Sequence, residues 1–114
     1  MPSKDLKQVI TTRISNDVLK VLDKQRLKVN RNRSQMGLLM LNWYYQEYKK
    51  TQPAFKTDFT KYVDPDGGKE TVTIRINPEI IKQLDKQCEL ELRNRSQLME
   101  CIFIEYFIVN GVLK

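Results

Sequence analysis

Histidine is absent from this chain of 114 residues. With it go the commonest general base and the commonest metal ligand, so His-dependent triads and most zinc sites are excluded. Cysteine is scarce. Cys88 and Cys101 are the only two, too far apart for a close-spaced ligand pair, and a chain that is 40% apolar does not need a disulfide framework. They read as small buried hydrophobes in a reducing compartment. Long apolar runs are also missing: the longest, Cys101 to Val109, is interrupted by Glu105 and falls short of the roughly 18 residues a membrane span requires. The opening Met-Pro-Ser-Lys-Asp-Leu-Lys has no apolar core of the signal-peptide kind. A soluble, cytoplasmic protein without membrane contact is expected. No carboxylate pair, activated nucleophile or phosphate loop stands out, so the expectation is no enzyme, no metal and no cofactor.

What the chain has in excess is positive charge, 20 Lys and Arg against 14 Asp and Glu for a net +6. A polyanionic partner follows from that, without deciding which one. The excess is uneven: residues 1–50 carry +7, residues 51–68 carry −1, and residues 69–114 are neutral.

The dominant pattern is a repeat at an offset of 62 residues. Arg31-Asn32-Arg33-Ser34-Gln35 recurs unchanged as Arg93-Asn94-Arg95-Ser96-Gln97, and Asp23-Lys24-Gln25 as Asp85-Lys86-Gln87. Thr11, Arg13, Ile14, Lys20, Leu22 and Tyr44 find their matches at Thr73, Arg75, Ile76, Lys82, Leu84 and Tyr106. The organisation is a first repeat over residues 1–50, a linker over 51–68 and a second repeat over 69–114. Each repeat is marginal as an independent unit, so the two are expected to share one core.

Each repeat begins with a β-branched run, Val9 to Ile14 and Thr71 to Ile76. Period 2 puts Ile10, Thr12 and Ile14, or Val72, Ile74 and Ile76, on one face. Val9, Thr11 and Arg13, or Thr71, Thr73 and Arg75, take the other. A helix follows, entered through Ser15-Asn16 or Asn77-Pro78 and running to about Lys28 or Leu90. Its stripe of Val18, Leu19 and Leu22, or Ile80, Ile81 and Leu84, is extended by Cys88. In the turn after it glycine is lacking, and Asn30 is the residue suited to a left-handed conformation. A second helix starts at Asn32 or Asn94, with Gln35 or Gln97 completing a capping box. It is apolar on most sides and belongs in the middle of the molecule. The aromatics Trp43, Tyr44, Tyr45 and Tyr48 lie at core spacing, and Gly37 permits a close helix approach. In the linker, Asp64-Pro65-Asp66-Gly67-Gly68 is turn chemistry, while Phe55, Phe59 and Tyr62 fit a short amphipathic helix packed on the body.

A lone short strand leaves half its backbone groups unpaired, and antiparallel pairing of the two runs removes that problem. The fold class is therefore mainly α with a two-stranded antiparallel β-ribbon over four helices. Such a ribbon fits the major groove of B-form DNA, three same-face side chains spanning on the order of 13 Å. Arg13 and Arg75 suit guanine, Thr11, Thr71 and Thr73 offer a hydroxyl and a methyl, and Val9 offers apolar contact alone. At the second helix, open backbone amides and the positive dipole end suit a phosphate. Arg31, Asn32, Arg33 and Ser34, with Arg93, Asn94, Arg95 and Ser96, are the candidates there. Lys4 and Lys7 add an amino-terminal arm.

Strand, helix, Asn-Arg-Ser, helix, with Thr and Arg alternating on the strand, resembles the ribbon-helix-helix regulators of the Arc and MetJ type. The resemblance covers Val9 to about Lys50 and Thr71 to about Val109, two units forming one intramolecular pseudo-dimer. It implies a repressor of transcription that inserts its ribbon into the major groove and holds phosphates at the second helix. Fused pairs resemble small regulators of viruses or plasmids, and a viral source would place the protein inside the host cell. The partner expected is double-stranded DNA with an imperfectly palindromic site. Self-association on DNA would use the apolar tail Val109 to Leu113. The alternatives are an antitoxin-like module that binds a protein through residues 51–68, and an accessory DNA-binding protein of plasmid transfer, partition or copy control.

Overall fold

The computed structural model describes residues 7–52, 54, 55 and 58–113. Both β-branched runs are strands, β1 (Gln8–Ser15) and β2 (Lys69–Ile76), paired antiparallel. In this register Thr11 faces Thr73, Val9 faces Arg75 and Arg13 faces Thr71. Thr11 and Thr73 are the same column of the repeat, so a pseudo-two-fold axis passes between them and relates the two halves. Ile10, Thr12, Ile14, Val72, Ile74 and Ile76 are buried beneath the ribbon. Five of these are aliphatic. At about 1.5–3 kcal/mol for each fully buried side chain, their gross burial is on the order of 10 kcal/mol. That rivals the whole net stability of a typical domain, so the ribbon is part of the core rather than an appendage.

Helix α1 (Asn16–Lys28) is capped by Ser15, whose hydroxyl accepts from the Asp17 amide. Helix α2 (Arg33–Trp43) opens at Asn32 with the complete capping box to Gln35. The chain then widens into a π turn over Tyr44–Tyr48 and closes with the one-turn α3 (Lys49–Thr51). One extra residue per turn brings positions five apart into line, and Trp43 stacks on Tyr48 with centroids 4.6 Å apart. In the second repeat, α4 (Pro78–Glu91) follows Asn77-Pro78, and α5 (Arg95–Val109) repeats the capping box and stays α-helical to its end. α2 and α5 pack on each other, while α1 and α4 pack against them from outside. A single core cluster takes residues from both repeats, including Leu22, Met40 and Tyr44 with Leu84, Phe103 and Phe107.

Gly37 lies under the ribbon. A Cβ there would stand 2.7 Å from Ile74 Cδ1, so the close approach it permits is that of a strand side chain to a helix, where the sequence suggested one between helices. Buried polar contacts also join the repeats. Gln87 Oε1 accepts from Tyr45 Oη at 2.9 Å, and Gln87 Nε2 donates to Tyr44 Oη at 2.8 Å and Glu91 Oε2 at 2.7 Å. Burial raises the Tyr44 phenol to about 12, so it stays a neutral partner for the amide.

The linker departs from the amphipathic helix its spacing suggested. Among its described residues the regular structure is a single 3₁₀ turn, Phe59–Lys61, because the Asp58 carboxylate captures the Thr60 amide and hydroxyl. The aromatics still dock: Phe55 stacks on Tyr44 at 5.4 Å and meets Phe59 edge-on at 5.1 Å. The far end is fastened to the first repeat, with the Asp64 amide on Asp17 Oδ2 and the Asn16 amide on Gly68 O. The tail mostly folds back, the Val112 and Leu113 amides donating to Phe107 O, and Val109 remains half exposed.

Both turns between the helices of a repeat are left-handed, at Asn30 (φ 54°) and at its repeat mate Leu92 (φ 56°). Asparagine tolerates that region, whereas leucine is strained there by about 1–2 kcal/mol. Replacing Leu92→Asn should therefore raise the unfolding free energy by about 1 kcal/mol, and Asn30→Leu should lower it comparably. Urea denaturation midpoints at constant m-value measure both.

Candidate nucleic-acid interface

A two-stranded ribbon has two outer edges whose amides need partners. Here the second helices supply them. Ser34 Oγ, at the start of α2, accepts from the Arg75 amide at 2.9 Å, and Ser96 Oγ, at the start of α5, accepts from the Arg13 amide at 2.9 Å. Each helix start is thus pinned beside the strand of the other repeat. On β1 a further bond runs from the Ser15 amide to Glu100 Oε2 at 3.2 Å, and Lys69 Nζ lies 3.7 Å from Glu100 Oε1. The architecture is that of a tandem ribbon-helix-helix pseudo-dimer.

The outer face of the pseudo-dimer's ribbon is exposed along its length at Val9, Thr11, Arg13, Thr71, Thr73 and Arg75. Cross-strand pairing sorts these six into three rungs. Arg13 with Thr71 forms one end, Thr11 with Thr73 the centre, and Arg75 with Val9 the other end. Identical guanidinium groups at the two ends therefore stand beside different neighbours.

Beside the ribbon, a concavity of about 380 Å³ is lined by Lys7, Asn32, Ser34, Gln35, Thr73 and Arg75, with Leu38 at its apolar side. Lys7, Gln35 and Arg31 also line an adjoining groove of about 680 Å³ along α2. Residues separated by more than sixty positions in the chain are brought together at one helix start. There the Asn32 side chain takes the Gln35 amide, and the Gln35 side chain takes the Asn32 amide at 2.9 Å. The capping box leaves the first two helical amides, those of Arg33 and Ser34, without helical partners. Asn94 and Gln97 repeat the arrangement and leave those of Arg95 and Ser96. Lys4 lies outside the described residues.

Arg33 and Arg95 already hold anions. Arg33 makes a two-pronged pair with Asp23 at 2.9 and 2.8 Å, and Arg95 makes the same pair with Asp85 at 2.7 and 2.8 Å. Glu70 adds a second carboxylate 3.6 Å from Arg33, and Arg26 also reaches Asp23 at 2.8 Å. A cation at a helix start opposes the helix dipole, and these carboxylates offset it. The bond from Arg33, with Arg26 adding to it, holds the Asp23 carboxyl down from its usual 3.8 to about 2. Asp85 is lowered by Arg95 in the same way. Arg93 is spent differently, on Glu91 Oε1 at 3.1 Å and Cys101 Sγ at 3.0 Å, with Phe55 under its guanidinium. Arg31 remains exposed. Cys101 is buried and its thiol is pushed up to about 11, chiefly by that burial.

Three contributors escaped sequence reading. Lys69 is the repeat mate of Lys7, and the offset alone would have found it. Asp23 and Asp85 stand out in the repeated Asp-Lys-Gln, but their bond to an arginine ten residues on depends on how the helices cross.

Comparison with protein-family models, curated proteins and solved structures returns no match. The fold itself is consistent with a DNA-binding module of the ribbon-helix-helix type. Among the described residues, no group of three or more His, Cys, Asp or Glu side chains could hold a metal, and no helix is long and apolar enough to cross a membrane.

The carboxylate pairs set an acid limit. Because the folded value of Asp23 lies below its unfolded one, its stabilisation is complete above about pH 4 and is lost as pH falls toward about 2. Asp23→Asn should cost about 1 kcal/mol at pH 6, after allowance for solvent screening, and only a small fraction of that at pH 2. Urea titrations at the two pH values, with the Asp23 carboxyl carbon followed by NMR, measure this.

Proposed function

We propose that this chain is a sequence-specific double-stranded DNA-binding protein that represses transcription by laying its ribbon in the major groove. The observation that carries the reading is the concavity shared by Lys7, Ser34 and Arg75. It brings together side chains that this reading assigns to bases, Thr73 and Arg75, and to phosphates, Lys7, Asn32 and Ser34, as a groove-bound ribbon requires.

In this reading Arg13 and Arg75 make two-pronged bonds to guanines, and Thr11, Thr71, Thr73 and Val9 read the positions between and beside them. Phosphates are held by the open amides at Arg33, Ser34, Arg95 and Ser96, with Asn32 and Asn94 fixing those helix starts. Lys4, Lys7, Arg31 and Arg93 add charge. Arg33 and Arg95 contribute field from within their carboxylate pairs, so they position the helix start as well as attract DNA. The unlike rungs at the two ends favour an imperfect palindrome, and the +7 of residues 1–50 favours tighter nonspecific contact by the first half. Phe55 and Phe59 are occupied on the body of the protein, which weighs against a linker held open for a toxin.

Arg13→Ala with Arg75→Ala should abolish preference for a selected site over random duplex, because each guanine contact is worth about 1–3 kcal/mol of discrimination. Lys7→Ala with Arg31→Ala should instead weaken all sequences alike and flatten the salt dependence of log K by about 0.9 per lost phosphate contact. Site selection from a random duplex pool followed by salt-titrated gel shifts reads both. An unchanged ratio in the ribbon variant would sink the groove model.

A further inference from the structure

The two repeats share a fold but not a flank. α1 and α4 are related by the pseudo-two-fold axis, and four columns at their carboxyl ends have diverged in compensating fashion. Leu27 stands where the second repeat has Glu89, Lys28 where it has Leu90, Val29 where it has Glu91, and Asn30 where it has Leu92. All but Glu91 are exposed, Leu90 at 75% and Leu92 at 92%. Net charge over α1 is +2 and over α4 is −2. On the α1 side, Lys20, Lys24 and Lys28, one helical turn apart, line a groove of about 630 Å³ with Val21, Gly111 and Val112. The α4 side ends instead in a mostly exposed corner, Glu89-Leu90-Glu91-Leu92, closed by the left-handed turn at Leu92.

With Glu91 held back by Gln87 and Arg93, the corner presents the exposed Glu89 beside the exposed leucines, and it complements in charge and polarity a lysine-lined groove with an apolar wall. We propose that the Glu89–Leu92 corner of one copy of this chain docks in the Lys20, Lys24 and Lys28 groove of another. Glu89 then faces Lys24 and Lys28, while Leu90 and Leu92 cover Val112 and the exposed Leu27 and Val29. Corner and groove are different surfaces, so the contact is head-to-tail. Each docked chain still has a free corner or a free groove, and the assembly grows in one direction unless it closes on itself. Two identical repeats would have presented the same surface on both flanks and lacked this polarity. The inference stands apart from the DNA-binding reading, because its test contains no DNA.

Sedimentation velocity of the full chain, at about 0.05 M and about 0.5 M salt, should show a mass that rises above 13.5 kDa with concentration, less steeply at high salt where charge pairs are screened. Two variants separate the surfaces: Leu90→Gln with Leu92→Asn spoils the corner, and Lys24→Glu with Lys28→Glu spoils the groove. Each alone should remain at 13.5 kDa, while their equimolar mixture should form a species of twice that mass and nothing larger, since it holds one sound corner and one sound groove. Circular dichroism melts verify that both are folded. If either is not, Leu92→Asn and Lys28→Ala are measured singly, with at least tenfold weaker association expected from each. A wild-type chain that stays monomeric, variants that associate like wild type, or a mixture that stays monomeric would each overturn the proposal.

Discussion

A short β-strand has backbone amides on both sides, and the organisation of this protein follows from satisfying them. Pairing β1 with β2 satisfies one edge of each strand. On each remaining edge one amide, that of Arg75 or Arg13, is taken by Ser34 or Ser96, and those two hydroxyls hold the second helix starts against the ribbon. Once the serines are placed, the capping boxes at Asn32 and Asn94 follow, then the arginines beside them, and then the carboxylates of Asp23 and Asp85 that those arginines draw in. Ribbon face, helix starts and first helices are thereby locked in one geometry by a chain of short polar bonds resting on a common apolar core.

The duplication has been kept where geometry demands symmetry and relaxed elsewhere. Thr11 and Thr73 on the axis are identical, as are the capping boxes and the arginine–aspartate pairs. Away from these points the halves diverge: Gly37 in α2 corresponds to Met99 in α5, and Ile74 of β2 to Thr12 of β1. The compensation runs across the repeats: Gly37 of the first lies against Ile74 of the second, a small residue in one half accompanying a larger one in the other, as core packing at fixed total volume favours. The π turn at Tyr44–Tyr48 has no counterpart in α5. It lies where the first repeat must leave its helix for the linker, and it brings Tyr48 Oη to Glu105 Oε2 at 2.6 Å.

Much of this was legible in the residues. The offset of 62 gave the repeats, alternation gave the two ribbon faces, and Asn-x-x-Gln gave both capping boxes, because each of these is a local pattern with a local cause. The antiparallel pairing of the two runs followed too, whereas its register, with Thr11 opposite Thr73, emerged only in the structure. What escaped had causes outside the local pattern. Leu92 carries no left-handed signature, and only its alignment with Asn30 betrays the turn. Gln87 looks like a surface residue until Tyr44 and Tyr45 arrive from the other repeat. The spacing of Phe55, Phe59 and Tyr62 fits a helix, but Asp58 traps the backbone in a tighter turn. For the interface, the exposed face was readable from period 2, whereas the engagement of Arg33 and Arg95 with carboxylates needed the crossing of helices to be known.

Joining the two halves through residues 51–68 alters how the ribbon responds to dilution. When a ribbon is made from two separate chains, its abundance at low concentration varies with the square of the chain concentration and is lost as partners separate. A short covalent connection of this sort, itself docked on the body, holds the second strand at an effective concentration of at least the order of millimolar. The paired surface is then present in proportion to the first power of the number of chains, down to a single copy, and neither half can be exchanged for that of a related protein.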